Sequence, residues 1–200
     1  MNFDFVKSSR YGDVATRFVH AATFLNPYKI YEGHAELFSP DVLDAGKKRE
    51  LPLTNSQIVD ALTKFPLFQR KTVGCMKLHR VVQQVIRGTM VSGEIAMCTA
   101  FKLLKNAALS AGQSAIDLSV FSIIRHWLTL KRHMEQHIEA KPDGFEAEEL
   151  MRLLNRGVKE IMFAVTHTLE GSTQTLENRR RLSALLDGDY DTWLGRREQE

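Results

Sequence analysis

Cysteine is scarce in this 200-residue chain, which contains two, Cys75 and Cys98. Their spacing fits neither a metal knuckle nor a CxxC redox pair, so the sequence does not indicate a disulfide framework or a cysteine-based metal site. Free cysteine is among the most buried residue types, and we expect both thiols to be buried. Sparse, unpatterned cysteine is typical of a reducing compartment.

Proline and long apolar runs are also scarce. Only 5 prolines and 12 glycines interrupt the chain, which favours long regular elements. The most apolar stretch, residues 118–130, is broken by Arg125 and His126 and is too short to span a bilayer. The N-terminus has no basic segment followed by an apolar run, so no secretory signal is indicated. We expect an intracellular protein, cytoplasmic or nuclear, and leave peripheral association with a membrane surface open.

Local signatures of catalysis are absent as well. The chain has no GxGxxG after a strand, no GxxxxGK[ST], no GxSxG and no HExxH. Glu146, Glu148 and Glu149 cluster near a helix start, where they complement the helix dipole rather than suggest paired catalytic carboxylates. We therefore predict that the protein is not an enzyme and uses no cofactor or small-molecule substrate.

What the sequence does contain is helical periodicity. Apolar residues make up 44% and charged residues 26%, ordinary values for a globular protein. The fold class predicted is all-α or mainly α, a bundle of six to seven helices with short connections. Residues 28–53 have no helical period and favour a small extended or hairpin element. The predicted helices cover residues 11–25, 54–65, 70–87, 92–109, 114–139, 145–169 and 173–186.

The break in helical pattern at residues 141–144 predicts a boundary between two regions. It separates an N-terminal helical region, 1–140, which holds the basic central helix, from a C-terminal helical region, 145–200, packed against it. A single domain spanning residues 1–200 is the alternative.

Charge is distributed unevenly along the chain, although the net charge is only +3. Residues 1–69 carry eight basic and eight acidic side chains, which cancel. Residues 70–110 carry seven basic side chains and one acidic, a net charge of +6, and residues 111–200 carry 12 and 15, a net charge of −3. An anionic partner is therefore expected at the middle of the chain.

The basic middle segment predicts one cationic stripe. With residues 70–87 as a helix, the long polar side chains line one face and the apolar residues gather on the opposite face, namely Leu78, Val81, Val82, Val85 and Ile86. Such a stripe suits the phosphates of nucleic acid or anionic lipid headgroups. The simpler alternative is a solvated outer face. The residues predicted to bind a polyanion are Lys77, Arg80, Gln84, Arg87, Lys102 and Lys105.

Three histidines fall on one side of the long predicted helix: His126, His133 and His137. His133 and His137 are four residues apart, a spacing that can hold a transition metal. Glu135 stands one place too late for a zincin motif. A pH-sensitive packing edge is a second interpretation, because clustered imidazoles would repel one another once charged near pH 6. Ordinary histidines at the edge of the core are the third.

Two aromatic residues in the C-terminal tail, Tyr190 and Trp193, are candidate interface residues, because tryptophan is enriched at interface hot spots. The alternative is that Trp193 docks back on the bundle. The basic triplet at residues 179–181 fans around its helix and is best explained as a solvated face.

The function favoured by these features is structural. We predict a non-enzymatic helical assembly protein that self-associates and contacts a polyanion, RNA or an acidic membrane surface, through a basic central helix. Viral matrix and nucleoprotein-type scaffolds are of this general kind. A protein-interaction or regulatory module without nucleic acid is the alternative, and a metal-dependent protein built on the histidines is the third.

Overall fold

The structure is a computed structural model that describes residues 12–28, 30–31, 68–72, 75–111, 117–142 and 145–170. Within these ranges the chain is mainly helical, as predicted, and it also contains one small sheet. Five helices are described; the predicted helices at 54–65 and 173–186 lie outside the described residues. In chain order the elements are α1 (Gly12–Ala22), β1 (Ile30–Tyr31), β2 (Phe68–Thr72), β3 (Cys75–Leu78), α2 (Arg80–Thr89), α3 (Gly93–Ala111), α4 (Asp117–Ala140) and α5 (Phe145–Glu170).

Helices α3, α4 and α5 pack against one another in all three pairs. Their observed bounds lie within three residues of the predicted 92–109, 114–139 and 145–169. Long segments with apolar residues at helical spacing bury one face, and that burial sustains each helix. Helix α1 packs on α3 and extends the same core. Fully buried side chains from these elements and the sheet are Phe18, Leu25, Ile30, Met76, Leu78, Ile86, Met97, Leu104 and Trp127.

The packing of α4 against α5 depends on a glycine. Gly157 lies against the indole ring of Trp127, which is 2% exposed. A Cβ placed on Gly157 would stand 2.6 Å from Cζ2 and from Cζ3 of that ring, and closer still to Cη2. The ring of Phe101 meets Trp127 edge-on, with ring centroids 6.0 Å apart. The absence of a side chain at Gly157 therefore allows Trp127 to fill the centre of the three helices.

The three strands form an antiparallel sheet in the order β1-β3-β2. Ile30 is paired with Met76, and Phe68 with Leu78. The register shifts between Arg70 and Thr72, as at a β-bulge. The strand at Ile30–Tyr31 confirms extended structure at the beginning of residues 28–53, and the rest of that stretch lies outside the described residues.

The predicted helix over residues 70–87 is wrong in its first half. Burial alternates along β3, with Met76 and Leu78 inside, which is the two-residue period of a strand. Helix α2 begins only at Arg80, after His79 as its N-cap. In the sequence, the glycine at position 74 between two short runs was a signal for a hairpin. Lys77 therefore belongs to a strand and not to the helix that carries Arg80.

The C-terminal end of helix α1 is held by hydrogen bonds from side chains of α2, which is distant in sequence. After Ala22 the chain closes in tight turns, with Phe24 donating to the Ala21 carbonyl (3.1 Å). Gln83, 4% exposed, donates from its side-chain amide to the carbonyls of Ala22 (3.1 Å) and Leu25 (3.0 Å). Arg87 donates to the carbonyl of Thr23. These bonds satisfy carbonyls that a helix end leaves without partners.

Other predictions concern cysteine, membrane and domains. Cys75 and Cys98 are free thiols, and both are partly rather than fully buried. None of the described helices combines the length and apolarity needed to cross a membrane. The division into residues 1–140 and 145–200 stays a prediction, although α5 packs on both α3 and α4.

Candidate functional site

Tyr28 is held at the surface by the turn that follows α1. Its backbone N–H donates to Oδ1 of Asn26 (3.0 Å), which is a local turn closed by an asparagine side chain. The carbonyl of Pro27 accepts from the backbone N–H of Leu78 (3.2 Å) at the end of β3. These two bonds place the tyrosine beside the junction between β3 and α2, and its side chain is 47% exposed.

Two cations lie over the Tyr28 ring. Nζ of Lys77, at the end of β3, is 5.0 Å from the ring centroid, and Cζ of Arg80, at the start of α2, is 5.8 Å from it. Both distances fall in the range of cation–π attraction. No carboxylate among the described residues forms an ion pair with either cation. We name the surface formed by Tyr28, Lys77 and Arg80 the cation–tyrosine surface.

The first turn of α2 adds positive potential at the same place. The N-terminus of a helix presents unpaired N–H groups and a partial positive charge. The N-cap, His79, accepts one of these donors, the N–H of Val81, at Nδ1 (3.3 Å). The first turn contains no acidic residue, which distinguishes it from α3 and α5. An anion near Arg80 would meet this helix end as well as the two cations.

The structure separates the other predicted polyanion-binding residues from one another. Gln84 is exposed one turn after Arg80 and continues the cation–tyrosine surface along α2. Arg87 turns inward: besides its bond to Thr23, its Cζ lies 5.9 Å from the centroid of the Phe24 ring, and burial lowers its pKa. Arg87 therefore stabilises the contact between α1 and α2.

Helix α3 carries the remaining two predicted cations. Lys102 is exposed, whereas Nζ of Lys105 lies 3.0 Å from a carboxylate oxygen of Glu160 on α5. Partial desolvation opposes ionisation of Glu160, but hydrogen bonds and charges from Lys105 and Arg156 outweigh it and lower its pKa. Lys105 thus serves an interhelical ion pair, and Lys102 stays a candidate for anion contact.

The three histidines occupy three different environments. His126 is fully buried, with Nε2 at 3.5 Å from Oγ of Ser122. His133 meets the edge of the Phe24 ring, with centroids 5.5 Å apart. Burial, then the charges of Arg87 and Arg132, lower the pKa of His133 to about 4, so this imidazole is neutral at pH 6. It would not contribute to the repulsion proposed for that pH.

His137 is the histidine placed beside other metal-ligating side chains. Within the described ranges, one group of three or more such residues is found: Glu94, His137 and Glu146, whose ligand atoms all lie within 4.8 Å of one another. The prediction missed both glutamates, because they come from other helices. Tyr28 was not predicted as a site residue either, because it lies in an aperiodic stretch. Tyr190 and Trp193, the predicted interface residues, lie outside the described residues.

The class that fold and site define is a mainly helical protein with a small antiparallel sheet and a cationic surface built around an exposed tyrosine. No protein-family model, no curated protein and no solved structure matches this chain.

Proposed function

We propose that this protein binds nucleic acid through the cation–tyrosine surface and acts as a structural rather than a catalytic component. The observation that supports this is the convergence of Lys77 and Arg80 on one exposed aromatic ring, beside a helix N-terminus without acidic residues. Both cations of this surface, Lys77 and Arg80, belong to residues 70–110, which carry a net charge of +6.

The chemistry of single-stranded nucleic acid suits this arrangement. Phosphates bind lysine, arginine and helix N-termini, and unpaired bases stack on aromatic rings. Lys77 and Arg80 repel each other over the ring, and a bound phosphate would offset that repulsion. A base that stacks on Tyr28 would release the cations toward the flanking phosphates. An acidic membrane surface uses the cations but has no need of a stacking ring, so Tyr28 favours nucleic acid.

A charge reversal tests the proposal. Lys77→Glu combined with Arg80→Glu should weaken binding of a labelled single-stranded oligonucleotide at least tenfold in fluorescence anisotropy. The slope of log affinity against log salt should fall by about 1.4, or about 0.7 for each phosphate that the protein no longer neutralises. The matched control is Arg125→Glu with Lys159→Glu, two exposed residues on α4 and α5 that give the same change in net charge. Equal weakening by both pairs would show that only net charge matters and would contradict the proposed surface.

The tyrosine distinguishes nucleic acid from lipid. Tyr28→Ala should lose about 1–3 kcal/mol of oligonucleotide binding, the usual contribution of one stacked base, while Tyr28→Phe retains it. Binding to vesicles with acidic lipid should change little in Tyr28→Ala. A parent protein that binds acidic vesicles but no oligonucleotide would replace this proposal with the membrane alternative.

Self-association is the second part of the proposal, and exposed apolar side chains support it. Val81 and Val85, one turn apart on α2, are 57% and 52% exposed, and Val91 and Ile95 beyond it are 101% and 63% exposed. Contiguous exposed apolar surface marks protein-interaction sites, whereas single exposed apolar residues are ordinary. Val81→Ser with Val85→Ser should lower the association state measured by sedimentation velocity. A monomeric parent protein with a discrete protein partner would favour the interaction-module alternative.

A further inference from the structure

Three helix ends meet at one point of the bundle. Glu94 lies in the first turn of α3 and Glu146 in the first turn of α5, while His137 lies in the last turn of α4. Each offers one ligand atom, and the three atoms lie within 4.8 Å of one another. His137 and Glu94 are partly buried, and Glu146 is exposed. The cluster is therefore reachable from solvent on one side and backed by protein on the other.

The described residues leave this cluster incompletely satisfied. Nε2 of His137 is shielded from solvent and forms no hydrogen bond within the described part of the chain. In the same part, neither Glu94 nor Glu146 forms an ion pair. The helix dipole explains why a carboxylate stands in each first turn. It does not explain why a ligand atom of His137 lies within 4.8 Å of both carboxylates.

The two carboxylates themselves decide which sign of ligand the cluster suits. An oxygen atom of each lies within 4.8 Å of the other and of a histidine nitrogen. Negative charge concentrated in this way favours a cation over a neutral ligand.

We propose that Glu94, His137 and Glu146 bind one divalent transition-metal ion of the Zn²⁺ type. Imidazole with carboxylates is a donor set that suits Zn²⁺, whereas Ca²⁺ and Mg²⁺ prefer oxygen ligands alone. Bonds of about 2.0–2.2 Å in a tetrahedron place ligand atoms about 3.3 Å apart. The side chains must therefore close by up to about 1.5 Å, and the exposed Glu146 can turn without disturbing the core. A bound ion would join the ends of α3, α4 and α5, and water would complete the tetrahedron on the side of the exposed Glu146.

The test uses the full chain, freed of metal, titrated with Zn²⁺ in a calorimeter and followed by thermal unfolding. The expected result is one ion per chain, with the unfolding midpoint raised by about 5–10 °C at a free Zn²⁺ concentration about a hundred times Kd. Mg²⁺ and Ca²⁺ should produce no shift. The variants are Glu94→Gln and Glu146→Gln, which are nearly isosteric, and His137→Gln, which removes the imidazole; each should weaken Zn²⁺ binding at least tenfold. Control variants are Glu135→Gln and Glu148→Gln, exposed residues two positions from His137 and Glu146.

Two outcomes would overturn this proposal. One is an absence of stoichiometric Zn²⁺ binding by the parent protein. The other is binding that survives substitution of all three residues together, which would locate the ion elsewhere. The charge reversal at Lys77 and Arg80 should leave Zn²⁺ binding unchanged, so failure of the nucleic-acid proposal and failure of this one are separable. If circular dichroism shows that Glu94→Gln or His137→Gln has lost helix, the test rests on Glu146→Gln. That side chain is exposed, so its substitution should leave the fold intact.

Discussion

Replacing Gly157 by alanine should destabilise the protein, although helix propensity alone predicts the opposite. Alanine is favoured over glycine in a helix interior by about 1 kcal/mol. At Gly157, however, the new Cβ would stand 2.6 Å from two atoms of the Trp127 ring, where carbon atoms normally approach to about 3.5–4.0 Å. The ring, 2% exposed and held by Phe101, has little room to withdraw.

The magnitude follows from these opposing effects. Overpacking of a well-filled core costs about 1–3 kcal/mol, and a rigid indole places this site near the upper end. After the gain in helix propensity, Gly157→Ala should lower the free energy of unfolding by about 1–2 kcal/mol. Urea denaturation followed by far-UV circular dichroism measures this change.

The chain offers a matched control. Gly88 also lies in a helix, but a Cβ there would have no neighbour within 4 Å. Gly88→Ala should therefore raise the free energy of unfolding by about 0.5–1 kcal/mol. Moreover, Gly157→Ala should cost less in a Trp127→Phe background, because the smaller ring leaves space. If Gly157→Ala stabilises the protein as Gly88→Ala does, or costs the same with either ring, the close contact of α4 and α5 is refuted.

Three further predictions follow from other contacts. In urea denaturation, Gln83→Met should lower the free energy of unfolding by about 1–3 kcal/mol, because two carbonyls lose their donor. The control is Gln84→Met at the exposed neighbour, which should change the free energy of unfolding by less than about 0.5 kcal/mol. The depressed pKa of His133 means that the unfolded state takes up its proton first, so stability should fall as pH falls from 6.5 toward about 4. The loss of stability should be at most about 3 kcal/mol, and about 1–2 kcal/mol after solvent screening. It should be smaller in His133→Gln. An unchanged pH profile in that variant would show that His133 is not the group responsible. In urea denaturation, Glu160→Gln should lower the free energy of unfolding by no more than about 1 kcal/mol, because its ion pair with Lys105 is about one-third exposed.

The long helices were predictable because each depends on its own local pattern. Residues 145–170 place Leu150, Leu154 and Ile161 on one buried face, a spacing that only a helix satisfies. The helix predicted over residues 70–87 was partly wrong for a physical reason. Leu78 is buried from a strand and Ile86 from a helix, yet at 100° per residue these two positions fall on one helical face.

Two further features of α2 contradict sequence rules. Val81 and Val85, expected on the apolar face, are exposed, while the polar Gln83 is buried because it donates to the end of α1. No pattern local to α2 contains that information. The cation–tyrosine surface was only half predictable on the same grounds: charge identified Lys77 and Arg80, but their contact with Tyr28 arises from strand pairing across distant parts of the chain.

The bonds from Gln83 to the end of α1 also bear on the order in which the chain folds. The contact with Ala22 spans 61 positions, and closing a flexible loop of that length costs about 4 kcal/mol in entropy. Helices α3 to α5 follow one another closely in sequence and face a much smaller barrier. In pulsed hydrogen exchange, the amide of Leu78, bonded to Pro27, should gain protection after the amides of α4. A newly made chain would then pack α3, α4 and α5 together before Tyr28 and its two cations meet.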